Sequence, residues 1–260
     1  MGKVCGVIER HLQWRESFRP CADEYFPQTI CEDSPCDYTG TTDYDENLIY
    51  CERPGNGGRC QPPDFVRKYS LPVIARWHSC VADMGIVRMR ATGYRSKRVC
   101  YIVDPLNVKA VSRSMINFAQ TLATVEQENY PENLRCVFIV NCPAFFCFAW
   151  KLLKVFIDER TNKKTNFCPP PNKAVDAMLP VMRKEDIPNF CGGSSNKWME
   201  TANGIIGSTN PNKVYKDEGY RIPNVTCGEL KGMQSRAENE ISLGSLNEAV
   251  TLAATRSIGA

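Results

Sequence analysis

The run Ala144 to Ile157, AFFCFAWKLLKVFI, constrains this chain more than any other segment. Over fourteen residues only Lys151 and Lys154 are polar, while Phe145, Phe146, Phe148, Trp150 and Phe156 are all bulky. No single helix face can bury them all. The run falls short of the roughly 20 residues needed to cross a bilayer, so it is a helix of the core or one at an apolar–polar boundary, with anchoring and lid roles both open. Directly after it comes the charge block Asp158-Glu159-Arg160-Thr161-Asn162-Lys163-Lys164. A greasy segment beside a polar site of headgroup size suits an amphipathic ligand.

The rest of the chain reads as an α/β protein. Leu48-Ile49-Tyr50-Cys51 and Val99 to Val103 are short strands, and Cys136 to Val140 is a continuous apolar strand, the pattern of a parallel strand covered on both faces. Between them, apolar positions at helical spacing predict a helix from Phe65 to about Met84, capped by Asp64 and kinked at Pro72. A second begins at Ser112, runs through Met115, Phe118, Leu122 and Val125, and ends before Asn129-Tyr130-Pro131. Alternating strands and helices imply a mostly parallel sheet. Residues 4 to 19 read as a short helix, 21 to 42 as loop, and Ser245 with Glu248 as the capping box of a final helix.

Charge and cysteine content exclude several classes. With 32 basic and 29 acidic residues in 260, a net charge of +3 does not announce nucleic acid. Fourteen cysteines spread over a chain this long, with no C-x-x-C pair and no apolar leader at the N-terminus, read as reduced packing residues of a cytosolic protein. The only histidines, His11 and His78, complete neither a zinc set nor a Ser-His-Asp arrangement, so no metal, cofactor or hydrolytic site is expected. The basic cluster Arg88, Arg90, Arg95, Lys97 and Arg98 reads as a solvated loop, with contact to anionic headgroups as the alternative.

Four motifs in order carry a resemblance: Asn129-Tyr130-Pro131-Glu132, Phe138-Ile139-Val140-Asn141-Cys142-Pro143, Phe156-Ile157-Asp158-Glu159-Arg160-Thr161 with Lys164, and Ile187-Pro188-Asn189-Phe190-Cys191-Gly192-Gly193. They resemble the CRAL-TRIO lipid-binding domain. Weaker similarity reaches back through Leu48 to Arg53 and to His11-Leu12-Gln13-Trp14-Arg15. The resemblance implies a CRAL-TRIO fold, with the sheet as the floor of an apolar lipid pocket, helices around it, and a gating helix at 144–157 that presents Phe145, Phe148, Trp150 and Phe156. It divides the chain into a remnant of a helical lobe at 1–20, the lipid-binding domain at 21–194, and an extension with a terminal helix at 195–260.

The same resemblance implies a phosphatidylinositol headgroup site at Thr161 and Lys164, with Glu132 near its inositol end, and a phosphatidylcholine site of whose two lining tyrosines only the one at Tyr50 is clearly retained. Val99 and Tyr101 stand where choline-binding members carry serine and threonine. The implied function is a monomeric, non-enzymatic carrier that exchanges or presents phosphatidylinositol in the secretory pathway, cytoplasmic and transiently held at Golgi or endosomal membranes. The alternatives are a degenerate domain acting as a scaffold or regulator, and a carrier of a smaller tocopherol- or retinoid-like hydrophobe.

Overall fold

A computed structural model describes residues 2–18, 29–33, 36–54, 60–91, 93, 95, 97–109, 111–168 and 173–196. The expected C-terminal helix lies outside the described residues. Helix α1 (Gly2–Phe18) belongs to a different compact unit from residues 20–218. On its surface the rings of His11, Trp14 and Phe18 stack in series, 5.7 Å and 5.1 Å apart, because residues three and four apart share a helix face.

In residues 20–218, five strands form one sheet in chain order: β1 (Cys36–Thr42), β2 (Leu48–Glu52), β3 (Val99–Val103), β4 (Leu134–Val140) and β5 (Thr165–Cys168). The β1–β2 pair is antiparallel and every other pair parallel. The β1–β2 turn is held by Asp43, whose Oδ1 accepts the backbone N–H groups of Asp45 and Asn47 at 2.9 and 2.7 Å. The crossovers run through α3 (Pro62–Lys68) with α4 (Leu71–Ala91), through α5 (Arg113–Asn129), and through α6 (Ala144–Leu153) with α7 (Glu159–Lys163). Right-handed crossovers between strands in sequential order place their helices on one face. The other face is left to the segment that begins with α8 (Lys173–Met178).

Two cores follow from this division. On the crossover face Tyr38, Leu48, Tyr50 and Val99 pack against Phe65, Ile74, Trp77, Val81 and Met84. On the opposite face Ile49, Cys51, Ile102, Phe138, Val140 and Cys168 pack against Met178, Met182, Ile187 and Cys191. The second core is sealed, whereas Val103, Val137 and Phe167 on the crossover face of β3, β4 and β5 remain half-buried.

Two of the resembling motifs have local structural reasons. The Tyr130 hydroxyl donates to the Ser79 carbonyl at 3.0 Å and lies 3.2 Å from Asp83 Oδ1, which ties the end of α5 to α4. Gly192 closes the turn Asn189–Cys191 at φ 88°, a left-handed conformation that glycine adopts without penalty. A methyl at Gly193 would overlap Ile187.

The structure revises several sequence expectations. Residues 21 to 42 are not all loop: they contain α2 (Thr29–Asp33) and β1. The inward positions of β1 include Asp37, Thr39 and Thr41, so its burial was invisible to hydropathy and arises from pairing with β2. The predicted helix from Phe65 is two helices separated at Tyr69 and Ser70, with Pro72 in the first turn of α4, where a missing N–H costs nothing. Arg88 is no loop residue: it leaves α4 to meet Asp37 at 3.2 Å and cover the Tyr38 ring. His78 sits 2.8 Å from Glu126. Burial works to lower the His78 pKa, but the hydrogen bond and charge of Glu126, with Glu52 beyond, outweigh it and raise it.

Gly85 faces Tyr38 so closely that a methyl group would overlap the phenol, which is fixed by burial and by its contact with the Val81 carbonyl. Gly85→Ala is expected to lose about 1–3 kcal/mol by overpacking. A thermal midpoint unchanged from the parent would refute this account of α4 packing.

Candidate functional site

The greasy run divides where its chemistry changes. Helix α6 ends at Leu153 rather than continuing to Ile157, and Lys154–Phe156 form a 3-10 turn. The chain then re-enters a helix at Asp158, whose carboxylate caps α7 by accepting from the backbone N–H groups of Arg160 and Thr161 at 2.9 and 3.0 Å. The side-chain amide of Asn162 donates back to the carbonyls of Lys154 and Ile157, at 3.1 and 2.9 Å, and stitches the turn to α7.

Beneath this turn lies an open cleft of about 630 Å³, lined by Cys147, Trp150, Lys151, Lys154, Val155, Asn162 and Phe167. Small-molecule sites commonly span roughly 300–1,000 Å³. On its floor, Trp150 of α6 meets the half-buried Phe167 of β5 edge to face at 5.3 Å. Its rim is cationic, with Lys151 and Lys154 both exposed. Val155, next to Lys154, is 71% exposed, and Phe145, in the first turn of α6, is 40% exposed. The backbones of Phe148 and Phe156 lie in α6 and the turn after it, and their side chains fall outside the described residues.

Three of the four expected ligand-binding residues meet at the edge of the sheet where β4 and β5 begin. Lys164, just after α7, is half-buried and donates its ammonium to the Leu134 carbonyl at 2.7 Å. The Thr161 hydroxyl donates to Asp158 Oδ2 at 2.6 Å. Glu132 pairs with Arg160 at 3.0 Å and reaches Arg98 at 3.9 Å. Partial burial pushes the Asp158 carboxyl up, but the hydrogen bonds from Thr161 and Arg160 and the charge of Lys164 prevail and hold it below the ordinary aspartate range. Tyr50 is not brought to this edge: it is 2% exposed and packed between Tyr38 and Tyr101, with ring centroids 5.2 and 5.0 Å away.

Sequence reasoning assigned no site role to Arg160, Asn162, Cys147 or Phe167. Lys151 and Lys154 carried a usable signal as the two polar positions, three apart, of an otherwise apolar run. The roles of Asn162 and Phe167 depend on how α6 folds over β5, for which a single sequence holds no periodic trace.

A CRAL/TRIO domain model matches residues 41–193, which spans strands β2 to β5, α6 and the last two residues of β1. This chain belongs to the CRAL/TRIO family. Among its relatives, Protein real-time of Aedes aegypti is 26% identical over 236 residues, covering 85% of this chain and 35% of that protein. The Sec14 cytosolic factor of Schizosaccharomyces pombe is 24% identical, covering 74% of this chain and 64% of that one. The phosphatidylinositol/phosphatidylcholine transfer protein SFH4 of Arabidopsis thaliana is 25% identical over 75% of this chain and 33% of its own length. The chain thus spans about a third of the length of the Protein real-time relatives. In fold it is similar to the crystal structure of Sfh5, with a TM-score of 0.53 at 19% identity over 64% of this chain and 60% of that one. Among the described residues, no helix is long and apolar enough to cross a membrane.

Proposed function

We propose that this CRAL/TRIO protein binds phosphatidylinositol and exchanges or presents it at a cytoplasmic membrane surface, as a carrier without covalent chemistry. The observation that carries the proposal is the cleft under α6: an apolar floor of Trp150 and Phe167 rimmed by two lysines, next to the edge that holds Thr161, Lys164 and Glu132. Two relatives named for lipid transfer or for the Sec14 factor point the same way. Enclosing an acyl chain is worth about 0.8 kcal/mol per methylene, which makes an apolar cleft with a movable cover a sufficient carrier. At the edge, an ammonium and a hydroxyl three residues apart can converge on one phosphate once Lys164 leaves the Leu134 carbonyl and Thr161 turns from Asp158.

Native mass spectrometry of protein purified from eukaryotic cells is expected to show a bound phospholipid. Lys164→Ala is expected to reduce phosphatidylinositol uptake by about tenfold or more, the scale of one charge-assisted hydrogen bond, and to leave phosphatidylcholine uptake little changed. Lys164→Gln, a donor without the charge, separates electrostatics from the Leu134 contact. Equal phosphatidylinositol uptake in all three proteins would remove Lys164 from the headgroup site. The carrier of a smaller hydrophobe is a second reading, favoured by the tyrosine packing that fills the sheet face around Tyr50. Recovery of a single-ring or isoprenoid ligand, in place of a phospholipid, would select it.

A further inference from the structure

Two thiols lie side by side where the sheet hands the chain to α6. Cys142, two residues beyond β4, and Cys147, in the early part of α6, have their sulfurs 3.7 Å apart. A disulfide needs about 2.05 Å, so the two must close by less than 2 Å. Their access differs. Cys142 is buried, 3% exposed, whereas Cys147 is half-buried and lines the cleft. Burial, reinforced by the neighbouring thiol, pushes Cys142 up to about 12, which keeps it protonated until its neighbour has reacted. Another buried pair, Cys100 and Cys136, has its sulfurs 3.5 Å apart but is sealed between strands.

We propose that Cys142 and Cys147 form a redox-responsive dithiol, reached by small disulfides through the cleft, whose oxidation staples α6 to the end of β4. The Cys147 thiolate attacks one sulfur of glutathione disulfide, forming a mixed disulfide and expelling one glutathione thiolate. Cys142 then loses its proton and attacks Cys147 Sγ, forming the Cys142–Cys147 bond and expelling the second glutathione thiolate. Two protein thiols are oxidised, one glutathione disulfide is reduced, and the two protons released are taken up by the departing thiolates. The ring closed contains only Cys142-Pro143-Ala144-Phe145-Phe146-Cys147, so the N-terminal turn of α6 can no longer leave the sheet. The consequence for exchange rests on the reading of α6 as a gate under the proposed function; the staple itself does not.

The full-length chain treated with glutathione disulfide is expected to lose the mass of two hydrogen atoms and to yield a Cys142–Cys147 linked peptide. Amide hydrogen exchange across Ala144–Leu153 is expected to slow by about tenfold or more and to recover with dithiothreitol. Phenylarsine oxide, which needs two adjacent thiols, should bind in the reduced protein and block the linkage. Cys147→Ser and Cys142→Ser should each abolish the response; if the buried Cys142 variant fails to fold, the Cys147 variant alone decides. A stable glutathione adduct at Cys147, linkage through other cysteines, or exchange in α6 unaltered by oxidation would each overturn the proposal. Lipid uptake by the reduced and oxidised protein is read alongside: a reduced chain that takes up no lipid defeats the carrier reading, while the peptide map and amide exchange still judge the staple.

Discussion

Arg53→Ala is expected to cost about 3–5 kcal/mol of folding stability, the scale of stripping a buried charge of its partner. The Asp104 side chain is wholly buried and accepts from Arg53 Nε at 2.9 Å. It also accepts from the Leu106 N–H at 3.1 Å and from Asn141 Nδ2 at 3.2 Å. Asn141 reaches on to the Phe190 carbonyl at 3.2 Å, and the Arg53 guanidinium lies 4.7 Å above the Phe190 ring. One clasp thus joins the ends of β2, β3 and β4 to the turn Asn189–Cys191, next to the start of α6. The two remaining hydrogen bonds solvate Asp104 without neutralising it. Pairing Arg53→Ala with Asp104→Asn should therefore recover part of the loss, because the uncompensated charge disappears with its counter-ion. Denaturant midpoints measure both; a single-variant loss below about 1 kcal/mol would place Arg53 among ordinary surface pairs.

Reversing both rim charges, Lys151→Glu with Lys154→Glu, is expected to weaken binding to vesicles containing anionic phospholipid by about thirtyfold or more. Each lysine near such a surface contributes about 1 kcal/mol, so losing two already accounts for that factor before repulsion is added. Val155, exposed next to Lys154, supplies apolar contact that does not depend on lipid charge. Binding of the parent protein should fall as salt rises, and that of the variant should respond less. Both lysines are exposed, so the thermal midpoint should barely move. Parent-like affinity of the folded variant for anionic vesicles would show that this face is not the one that meets the membrane.

Much of the architecture was legible because it is local. The apolar periodicity after Ser112 marks α5, and the Ser112 hydroxyl does cap it, accepting from the Met115 N–H at 3.3 Å. The unbroken apolar run of β4 marks a strand flanked by parallel neighbours. Strand β1 was illegible because Asp37, Thr39 and Thr41 carry no strand-like hydropathy and are buried only through pairing. The division of the helix after Phe65 escaped notice because apolar spacing continues across Tyr69, where the chain is extended.

The site divides along the same line. Thr161 and Lys164 are three residues apart, and Glu132 is tied to them through Arg160, the residue preceding Thr161. Tyr50 belongs to a β-strand, where alternation says that it faces one side but not what covers that side. Helices α3 and α4 cover it, which turned an expected pocket residue into core.

Residue order alone established the α/β class, the family motifs, and an apolar segment too short to span a bilayer beside a charged one, since each is written in neighbours along the chain. The place of the cleft, the seating of Trp150 on Phe167, the clasp at Asp104 and the meeting of Cys142 with Cys147 arose only on folding. Those contacts depend on how crossovers stack on a twisted sheet, and packing distances between elements leave no period in the sequence that carries them.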